Sequence, residues 1–473
     1  MNFGALLKAT LKENSIPVSH FAEAIGYNRV AIYSVFKGEK SLPENVFKEM
    51  LEKYDFSPSQ RALLTREFYN DSMDEKTSEL IRFFLSELAC IGEEPSSIML
   101  PFRELDTSVG GVFLAGSVDY YSAIRTFLEN ESLEKGAVIY TNYSFFDIQA
   151  DKIVYDFIKE RSCEDILIRH TVRPNDVTPL NERIRNICAS VKFARLGHIT
   201  SLAGENVGDY AFSTYFIGKT SILLYDNSHE FGFLSTEKTA VSAYILAAEK
   251  CEADETPLTR FTKNPFELKS ILQTYQLEIH SAFDSDFSLH YFTTPDILEN
   301  TLKKEILNRE QILSACWGHV EYCQEFHMKS LIMSQRGLLR FFEDGKAFDA
   351  SDLLLNRVSF ADRKKAFENY KNRLKDPGFC VKMLNSDLVP TTGNFSVEVY
   401  DGGVLFAFDA KNRPDGDYLG ASFLILMDPE LSAVFKKIPE YLEVNGCLLP
   451  NSFVENLLEN LINQCEAAAR EQD

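Results

Sequence analysis

The chain has 473 residues, of which 45% are hydrophobic and 25% are charged. This composition excludes a wholly disordered, collagen-like or coiled-coil protein, and the length predicts about three domains. The 49 basic and 70 acidic residues give a formal net charge of -21. Such a charge repels nucleic acid over most of the surface, but it does not exclude one neutral or basic DNA-binding face.

The sequence offers no sign of export or of a membrane span. No apolar run reaches the roughly 18 to 20 residues that cross a bilayer, and residues 1–12 lack the apolar core of a signal peptide. The nine cysteines are scattered, with no C-x-x-C pair, which indicates reduced thiols. We therefore expect a cytoplasmic protein with no membrane partner.

Residues 1–70 predict an all-α domain of five short helices, because apolar residues recur there at helical spacing. The segment holds nine Lys/Arg and eight Asp/Glu, so its net charge is +1 and the remainder of the chain carries -22. A helical connector is predicted at 71–100. Alternating strand and helix patterns then predict two α/β domains, at 101–255 and 256–473, and the whole chain is assigned to the α+β multidomain class.

Short apolar runs predict the strands of both α/β domains. In the first domain they lie at 112–115, 137–141, 166–169, 191–194, 211–217 and 221–225. In the second domain a long helix is predicted over 301–334, followed by strands at 380–384, 395–400, 403–408 and 421–427.

The two α/β domains share an order of elements. Val191-Lys192-Phe193 and Val381-Lys382-Met383 each follow a predicted helix, and each precedes a pair of strands, a third strand and another helix. This order predicts a duplicated sheet-plus-helix module. Chance similarity between two unrelated α/β segments is the alternative.

The stretch from Ser19 to Pro43 predicts two helices that cross at a short turn. Ala22 is small where the helices approach, and Gly26 allows a positive φ in the turn. Ser19 is predicted to cap the first helix and Asn28 to cap the second, because their side-chain oxygens can accept backbone N–H groups. Ile32 and Phe36 are predicted to point inward.

With these residues, Ser19–Pro43 resembles the helix-turn-helix of the phage-repressor-like Xre family of transcriptional regulators, over about 65 residues of this chain. The resemblance implies that the second helix lies in the major groove of an operator, that the protein binds as a homodimer, and that repression is the commoner mode. A helical protein-interaction module with the same core is the alternative, and the small net charge of this segment keeps it open.

Seven residues are predicted to face DNA in that arrangement. They are Asn28, Arg29, Val30, Tyr33, Ser34, Lys37 and Lys40. Arg29 can pair bidentately with guanine, and Val30 can pack on a thymine methyl group. Lys37 and Lys40 follow the helix, where contact with phosphates is expected.

Three other patterns have both a functional and a structural interpretation. Cys316, His319, Cys323 and His327 line one helical stripe and are zinc-ligand types, but one helix supplies at most two ligands, so a packed face is favoured and no metal is predicted. Gly116-Ser117 can hold an anion at a helix start or form a plain turn capped by Ser117. Residues 140–146 can line a ligand cleft or pack in a core.

No catalytic motif is present in the sequence, so neither an enzyme nor a cofactor is predicted. Gly337–Gly345 and the Asp428-Pro-Glu turn faintly resemble the C-terminal regions of large Xre-type regulators of Firmicutes, which implies an accessory module. We expect a transcriptional regulator whose α/β region dimerises and senses a small molecule, peptide or protein. The alternatives are a DNA-targeted enzyme that processes nucleotides or nucleic acid, and an antitoxin-like regulator that binds a protein.

Overall fold

The computed structural model describes residues 3–93, 102–108, 110–143, 148–160, 166–171, 179–194, 199–203, 214–226, 228–253, 256–257, 259–261, 279–325, 330–346, 355–376, 378–391, 394–409 and 421–472. The chain forms two compact units. The helical unit consists of Met1–Phe83 and Val434–Leu449, and the sheet unit consists of Phe84–Ala433 and Pro450–Asp473. The predicted α+β class is confirmed, because an N-terminal helical region is followed by two mixed sheets.

The N-terminal region begins with the five short helices that the sequence predicts, and a sixth follows. The helices are α1 (Phe3–Glu13), α2 (Val18–Ala24), α3 (Arg29–Phe36), α4 (Glu44–Lys53), α5 (Pro58–Ser72) and α6 (Glu75–Ala89). The apolar faces of α1 to α5 meet in one core, which buries Leu7, Phe21, Ile32, Phe47 and Leu64. Periodic apolar residues and short polar breaks were therefore sufficient to locate these helices.

A first module of the sheet unit covers residues 111–257. Its elements are β1 (Gly111–Ala115), α7 (Ser117–Glu131), β2 (Ala137–Thr141), α8 (Ile148–Glu160), β3 (Ile166–Thr171), α9 (Leu180–Ala194), β4 (Ile199–Ala203), β5 (Thr214–Ile217), β6 (Ile222–Tyr225), β7 (Phe231–Ser235), α10 (Lys238–Ala253) and β8 (Thr256–Pro257). The strand order is β1-β7-β6-β5-β2-β3-β4-β8. Strands β2, β3 and β4 are parallel, and the other neighbours are antiparallel.

A second module begins at residue 259. Its elements, together with the helices that close the chain, are β9 (Thr259–Phe261), β10 (Ile279–Asp284), a 3₁₀ helix (Leu289–Tyr291), α11 (Pro295–Thr301), α12 (Arg309–Glu325), β11 (Ser330–Ser334), α13 (Gln335–Asp344), α14 (Phe360–Arg373), β12 (Val381–Leu384), β13 (Phe395–Tyr400), β14 (Gly403–Asp409), β15 (Ala421–Leu426), α15 (Pro429–Phe435), α16 (Ile438–Val444), β16 (Leu448–Leu449) and α17 (Asn451–Gln472). Within the sheet unit the strand order is β9-β15-β14-β13-β10-β11-β12.

The two modules have the same topology. Strands β1 to β7 correspond one for one to β9 to β15 in both chain order and sheet order, with β4 matching β12. Helix α9 precedes β4 as α14 precedes β12, and α10 follows β7 as α15 follows β15. An identical order of seven strands supports the predicted duplicated module and disfavours chance similarity.

Two of the predicted elements are wrong. Residues 191–194 form the last turn of α9, and the strand β4 comes later, at Ile199–Ala203. Val191 and Phe193 are buried by the packing of α9, so their apolar character marks a helix face. The long helix predicted over 301–334 is also wrong, because this range contains both α12 and the buried strand β11. The apolar run of β11 was taken for helix, since a short apolar run alone does not distinguish a strand from a helix.

Residues Val434–Leu449, which lie far along the chain from the N-terminal helices, belong to the helical unit. Within this unit α16 contacts α5, and Val444 packs against the helical core. The Tyr441 side chain is 8% exposed, and its hydroxyl accepts a hydrogen bond from the Arg82 side chain, which raises the pKa of Arg82. The core of the helical unit is therefore completed by residues that lie more than 350 positions downstream of α5.

Among the helices of the described residues, none has the length and apolar character needed to cross a membrane.

Candidate nucleic-acid interface

The turn between α2 and α3 is built as its sequence indicates. Gly26 adopts a φ of 60°, and the N–H of Tyr27 donates to the carbonyl of Ala22 at 2.8 Å, which closes the end of α2. Asn28 precedes α3, and its side-chain oxygen accepts the N–H groups of Val30 at 2.8 Å and Ala31 at 3.4 Å. The predicted Asn28 cap is confirmed.

The predicted Ser19 cap is wrong. Helix α2 begins at Val18, and the extended residue before it is Pro17, with φ -66° and ψ 135° and no side-chain cap bond. Ser19 therefore lies inside the first turn. Proline supplies the extended geometry that a helix start requires, and the helix begins two residues earlier than a Ser19 cap would give.

The inward face of α3 is fixed in the core of the helical unit. Ile32 is 0% exposed and Val35 is 2% exposed. Gly4 of α1 approaches so closely that a Cβ atom there would lie 1.9 Å from the carbonyl oxygen of Val35. The backbones of α1 and α3 are therefore in close contact, and this contact together with the buried side chains holds α3 in one orientation. The same orientation turns the opposite face of α3 outward.

The outward face of α3 is exposed. Val30 is 75% exposed and Tyr33 is 42% exposed, although both are large hydrophobic side chains. Arg29 is also exposed, and its guanidinium carbon lies 5.8 Å from the centroid of the Tyr33 ring. The aromatic ring supports the guanidinium beside the first turn, where a helix in the major groove meets base edges.

The remaining predicted contact residues surround this face. Asn28, Lys37 and Lys40 are exposed, and Ser34 is half-buried. The Lys37 ammonium lies 3.8 Å from a carboxylate oxygen of Glu39, and both side chains are well exposed, so the pair is screened by solvent. Four of the seven residues therefore lie on α3, Asn28 directly precedes it, and Lys37 and Lys40 follow within four residues of its end.

Lys53 has a structural role that the sequence did not indicate. Its ammonium donates to the carbonyl of Ala24 at the end of α2 and to a carboxylate oxygen of Glu49, each at 2.5 Å. A cation at a helix C-terminus satisfies a carbonyl that has no partner within the helix. This lysine therefore stabilises α2 and contributes less free positive charge than its exposure suggests.

The first module contains a small cavity where residues 140–146 were considered as a ligand cleft. Its volume is about 10 Å³, and its lining includes Thr141, Tyr143, His170 and Phe216. The His170 Nε2 lies 2.6 Å from the carbonyl oxygen of Tyr143, and burial lowers the pKa of His170 to about 4. Such a volume holds about one water molecule, so this cavity favours packing; residues 144–147 lie outside the described part of the chain.

The Gly116-Ser117 turn is closed by an acidic side chain. Gly116 is the residue before α7, with φ 83°, and Ser117 is already helical, so the predicted Ser117 cap is wrong. The Asp119 carboxylate accepts the N–H of Ala115 at 3.0 Å and the Arg103 guanidinium at 2.8 Å. Asp119 therefore binds the last residue of β1 and Arg103 close to the start of α7.

Three members of the Cys/His stripe, Cys316, His319 and Cys323, lie on α12. Cys316 is half-buried on this helix, whereas the side chains of His319 and Cys323, and all of His327, lie outside the described part of the molecule. Among the described residues, no group of three Cys, His, Asp or Glu side chains is arranged to hold a metal ion.

No family model and no curated protein matches this chain. Among solved structures, it is similar to phosphatidylserine synthase from Haemophilus influenzae Rd KW20, with 10% identity over 83% of this chain and 98% of that chain and a TM-score of 0.28. It is also similar to the archaeal chromatin protein TrmBL2, with 9% identity over 49% and 83% of the two chains and a TM-score of 0.22. A third is polyphosphate kinase from Porphyromonas gingivalis, with 8% identity over 83% and 56% and a TM-score of 0.23. TM-scores this low carry no conclusion about this chain.

Proposed function

We propose that this protein is a DNA-binding transcriptional regulator, and that α3 binds base edges in the major groove of its operator. One observation supports this more than any other. The first turn of α3 exposes Arg29 and Val30 while the opposite face of the same helix is locked in the core. An exposed apolar residue beside an exposed guanidinium suits a surface that contacts bases, because one can pack on a thymine methyl group and the other can pair with guanine.

The charge distribution agrees with binding through this face alone. The first 70 residues carry a net charge of +1, whereas the rest of the chain carries -22. One helix of eight residues spans a short half-site. We therefore propose a homodimer on a pseudo-palindromic operator, with repression as its mode and the cytoplasm as its location.

The two sheet modules are proposed as the regulatory part. A small molecule, peptide or protein that binds two arrangements of the modules unequally shifts the population of the arrangement that binds DNA. This proposal requires differential affinity, and a ligand that binds both arrangements equally changes nothing.

The test begins with selection of an operator from a random duplex library by the full chain. Binding is then titrated at fixed salt for wild type and for Arg29→Ala, and we expect a loss of roughly 5- to 150-fold with relaxed preference at one base position. Lys12→Ala is the control, since Lys12 is an exposed cation at the end of α1 and away from α3 in sequence. Failure to enrich any duplex, or equal loss in both variants, would refute the proposal.

A further inference from the structure

Strand β1 forms an open edge of the first sheet. It is the first strand in the sheet order, and among the described residues it pairs with β7 alone. Directly after β1, the Gly116 N–H donates to the Glu230 carbonyl at 2.8 Å. Because hydrogen bonding alternates along an antiparallel strand, the backbone N–H and C=O groups of Gly111, Phe113 and Ala115 face away from β7.

The start of this edge is open and its end is closed. The Ala115 N–H donates to the Asp119 carboxylate at 3.0 Å, and Arg103 binds the same carboxylate. Within the part of the chain that the structure describes, no hydrogen bond reaches the outward backbone groups of Gly111 and Phe113. Unpaired groups on a sheet edge are a template for another strand.

The side chains beside the open edge are aromatic and exposed. Phe113 is 85% exposed and Phe231 is 63% exposed, and the Phe113 ring centroid lies 5.1 Å from that of Phe233. A Cβ atom on Gly111 would lie 2.6 Å from the Phe233 ring, so this ring crosses the glycine. The same face carries Leu224, where α10 packs on β5 and β6. Helix α10 therefore covers this face in the middle of the sheet and leaves Phe113 and Phe231 in solvent.

The duplicated module shows what the equivalent edge packs against. Strand β9 corresponds to β1, and β9 contacts β4 of the first module. This edge of the second module is therefore already an interface with another module of the same fold. Strand β1 has no such neighbour among the described residues, so a second copy of the chain is the occupant that repeats the arrangement. Pairing of β1 with β1 closes into a dimer, whereas pairing with a different strand propagates into an open assembly.

We propose that two copies of this chain dimerise by antiparallel pairing of their β1 strands, with the two-fold axis at Val112. In this register Gly111 of each copy lies opposite Phe113 of the other copy, and every outward N–H and C=O group of these two residues gains a partner. Each Phe113 ring then packs over the glycine of the other copy, and Asp119 stays bound to its own strand. The role of this dimer in operator binding rests on the proposed function, but the pairing itself does not depend on DNA.

The register is tested by Val112→Cys in the full chain. Residues that meet on the axis form a non-hydrogen-bonded antiparallel pair with Cα atoms about 4.5 Å apart, which a disulfide can bridge. Ala115→Cys is the matched control, because Ala115 is exposed on the same strand but lies about 20 Å from its counterpart in this register. Under mild oxidation we expect a covalent dimer from Val112→Cys, with residue 112 in the linked peptides, and no more cross-linking from Ala115→Cys than from wild type. Equal cross-linking of the two variants, or none through residue 112, would overturn the pairing.

The dimer is measured without DNA by sedimentation over a range of protein concentrations. Phe113→Glu adds a charge to the open edge, and we expect it to raise the dimer Kd at least about tenfold without changing the free energy of unfolding. Leu307→Glu is the control, because Leu307 is 84% exposed in the second module and the substitution adds the same charge. A wild-type monomer at all concentrations up to about 100 μM, equal effects of both variants, or assemblies that grow beyond a dimer would contradict the proposal.

Operator affinity of the same variants separates this inference from the proposed function. Below the dimer Kd we expect Phe113→Glu to weaken operator binding at least about fivefold and Leu307→Glu to leave it unchanged, because two linked reading heads bind more tightly than one. If the chain dimerises through β1 but binds no duplex, the DNA-binding proposal fails and the pairing stands. If the chain binds DNA but its dimer is insensitive to Phe113→Glu, only the pairing fails.

Discussion

Asp284 makes the stability of the second module depend on pH. It is the last residue of β10 and is 1% exposed, and its Oδ1 atom accepts no hydrogen bond within the described residues. Burial raises the pKa of Asp284 from 3.8 to about 6, opposed by the hydroxyls of Ser288 and Ser396. The ionised carboxylate is therefore less favourable in the folded chain than in the unfolded chain.

The sign and size of the effect follow from that difference. Well below pH 3.8 the carboxyl group is protonated in both states and does not affect stability, whereas above pH 6 it is ionised in both states and folding must bury the charge. Two pKa units correspond to about 3 kcal/mol, so this group destabilises the fold by about that amount at pH 7.5 and by about half as much at pH 5. Stability from this group is lost as pH rises from about 4 to 6.

Asp284→Asn removes the ionisation and keeps an oxygen that accepts from Ser288. We expect the variant to unfold at higher urea concentration than wild type at pH 7.5, and the difference to shrink by about half at pH 5. The unfolding of the second module is followed by exchange of β10 and β11 amides, because a chain of two units need not unfold in one step. A variant that is less stable at pH 7.5, or a difference that is constant with pH, would refute this reasoning.

Asp286→Asn provides the opposite control on the same segment. Asp286 is 4% exposed, but its carboxylate lies 3.1 Å from the Arg340 guanidinium. Removing this charge leaves Arg340 without its carboxylate, so Asp286→Asn should lower stability at pH 7.5. The two neighbouring substitutions thus have opposite expected signs, which a general tolerance of asparagine would not produce.

Three further outcomes are expected. Asn28→Ala should lower the free energy of unfolding of the helical unit by about 1 kcal/mol in urea denaturation, whereas Asn28→Asp should retain the cap. Glu131→Ala should lower the free energy of unfolding of the sheet unit by about 3 kcal/mol or more, because this buried carboxylate accepts the N–H groups of Lys219, Thr220 and Ser221. Glu129→Ala is the control and should change it little, because Glu129 is exposed. Lys37→Ala should weaken binding to all duplexes alike and reduce the slope of log affinity against log salt by about 1, and an unchanged slope would remove Lys37 from the phosphate contacts.

Features that depend on nearby residues could be predicted from the sequence. Helix α3 and its cap required only the spacing of Ile32 and Phe36 and one asparagine before the first turn. Strands β5 to β7 and β13 to β15 were located in the correct relative order, which supported the predicted duplication. The predicted match between Val191-Lys192-Phe193 and Val381-Lys382-Met383 was wrong, because the first segment lies in α9 and the second in β12. Each helix, cap or strand among these predictions uses residues within about ten positions of one another, where backbone geometry decides the outcome.

Features that depend on distant residues could not be predicted. The segment from Val434 to Leu449 shows ordinary helix periodicity, and nothing local indicates that Val444 enters the core of the N-terminal helices. The Arg183–Asp428 pair joins positions 245 residues apart. Strand β11 was missed for a related reason, since burial of all five of its residues removes the alternation that marks a strand.

The duplication permits one comparison that neither module allows alone. Thr141 is the last residue of β2 and Asp284 is the last residue of β10, the parallel strand that adjoins an antiparallel neighbour in each module. The next residue, Asn142 or Ser285, accepts a backbone N–H group from that neighbour, at Tyr215 or Phe395. The Thr141 hydroxyl donates to the Tyr215 carbonyl at 2.8 Å, whereas one oxygen of Asp284 accepts no hydrogen bond from the residues that the structure describes. The same register therefore accommodates a neutral side chain at no electrostatic cost, so the fold does not require a carboxylate there. The pH dependence derived above is consequently a property of this one residue, and it should disappear with Asp284 while the sheet remains intact.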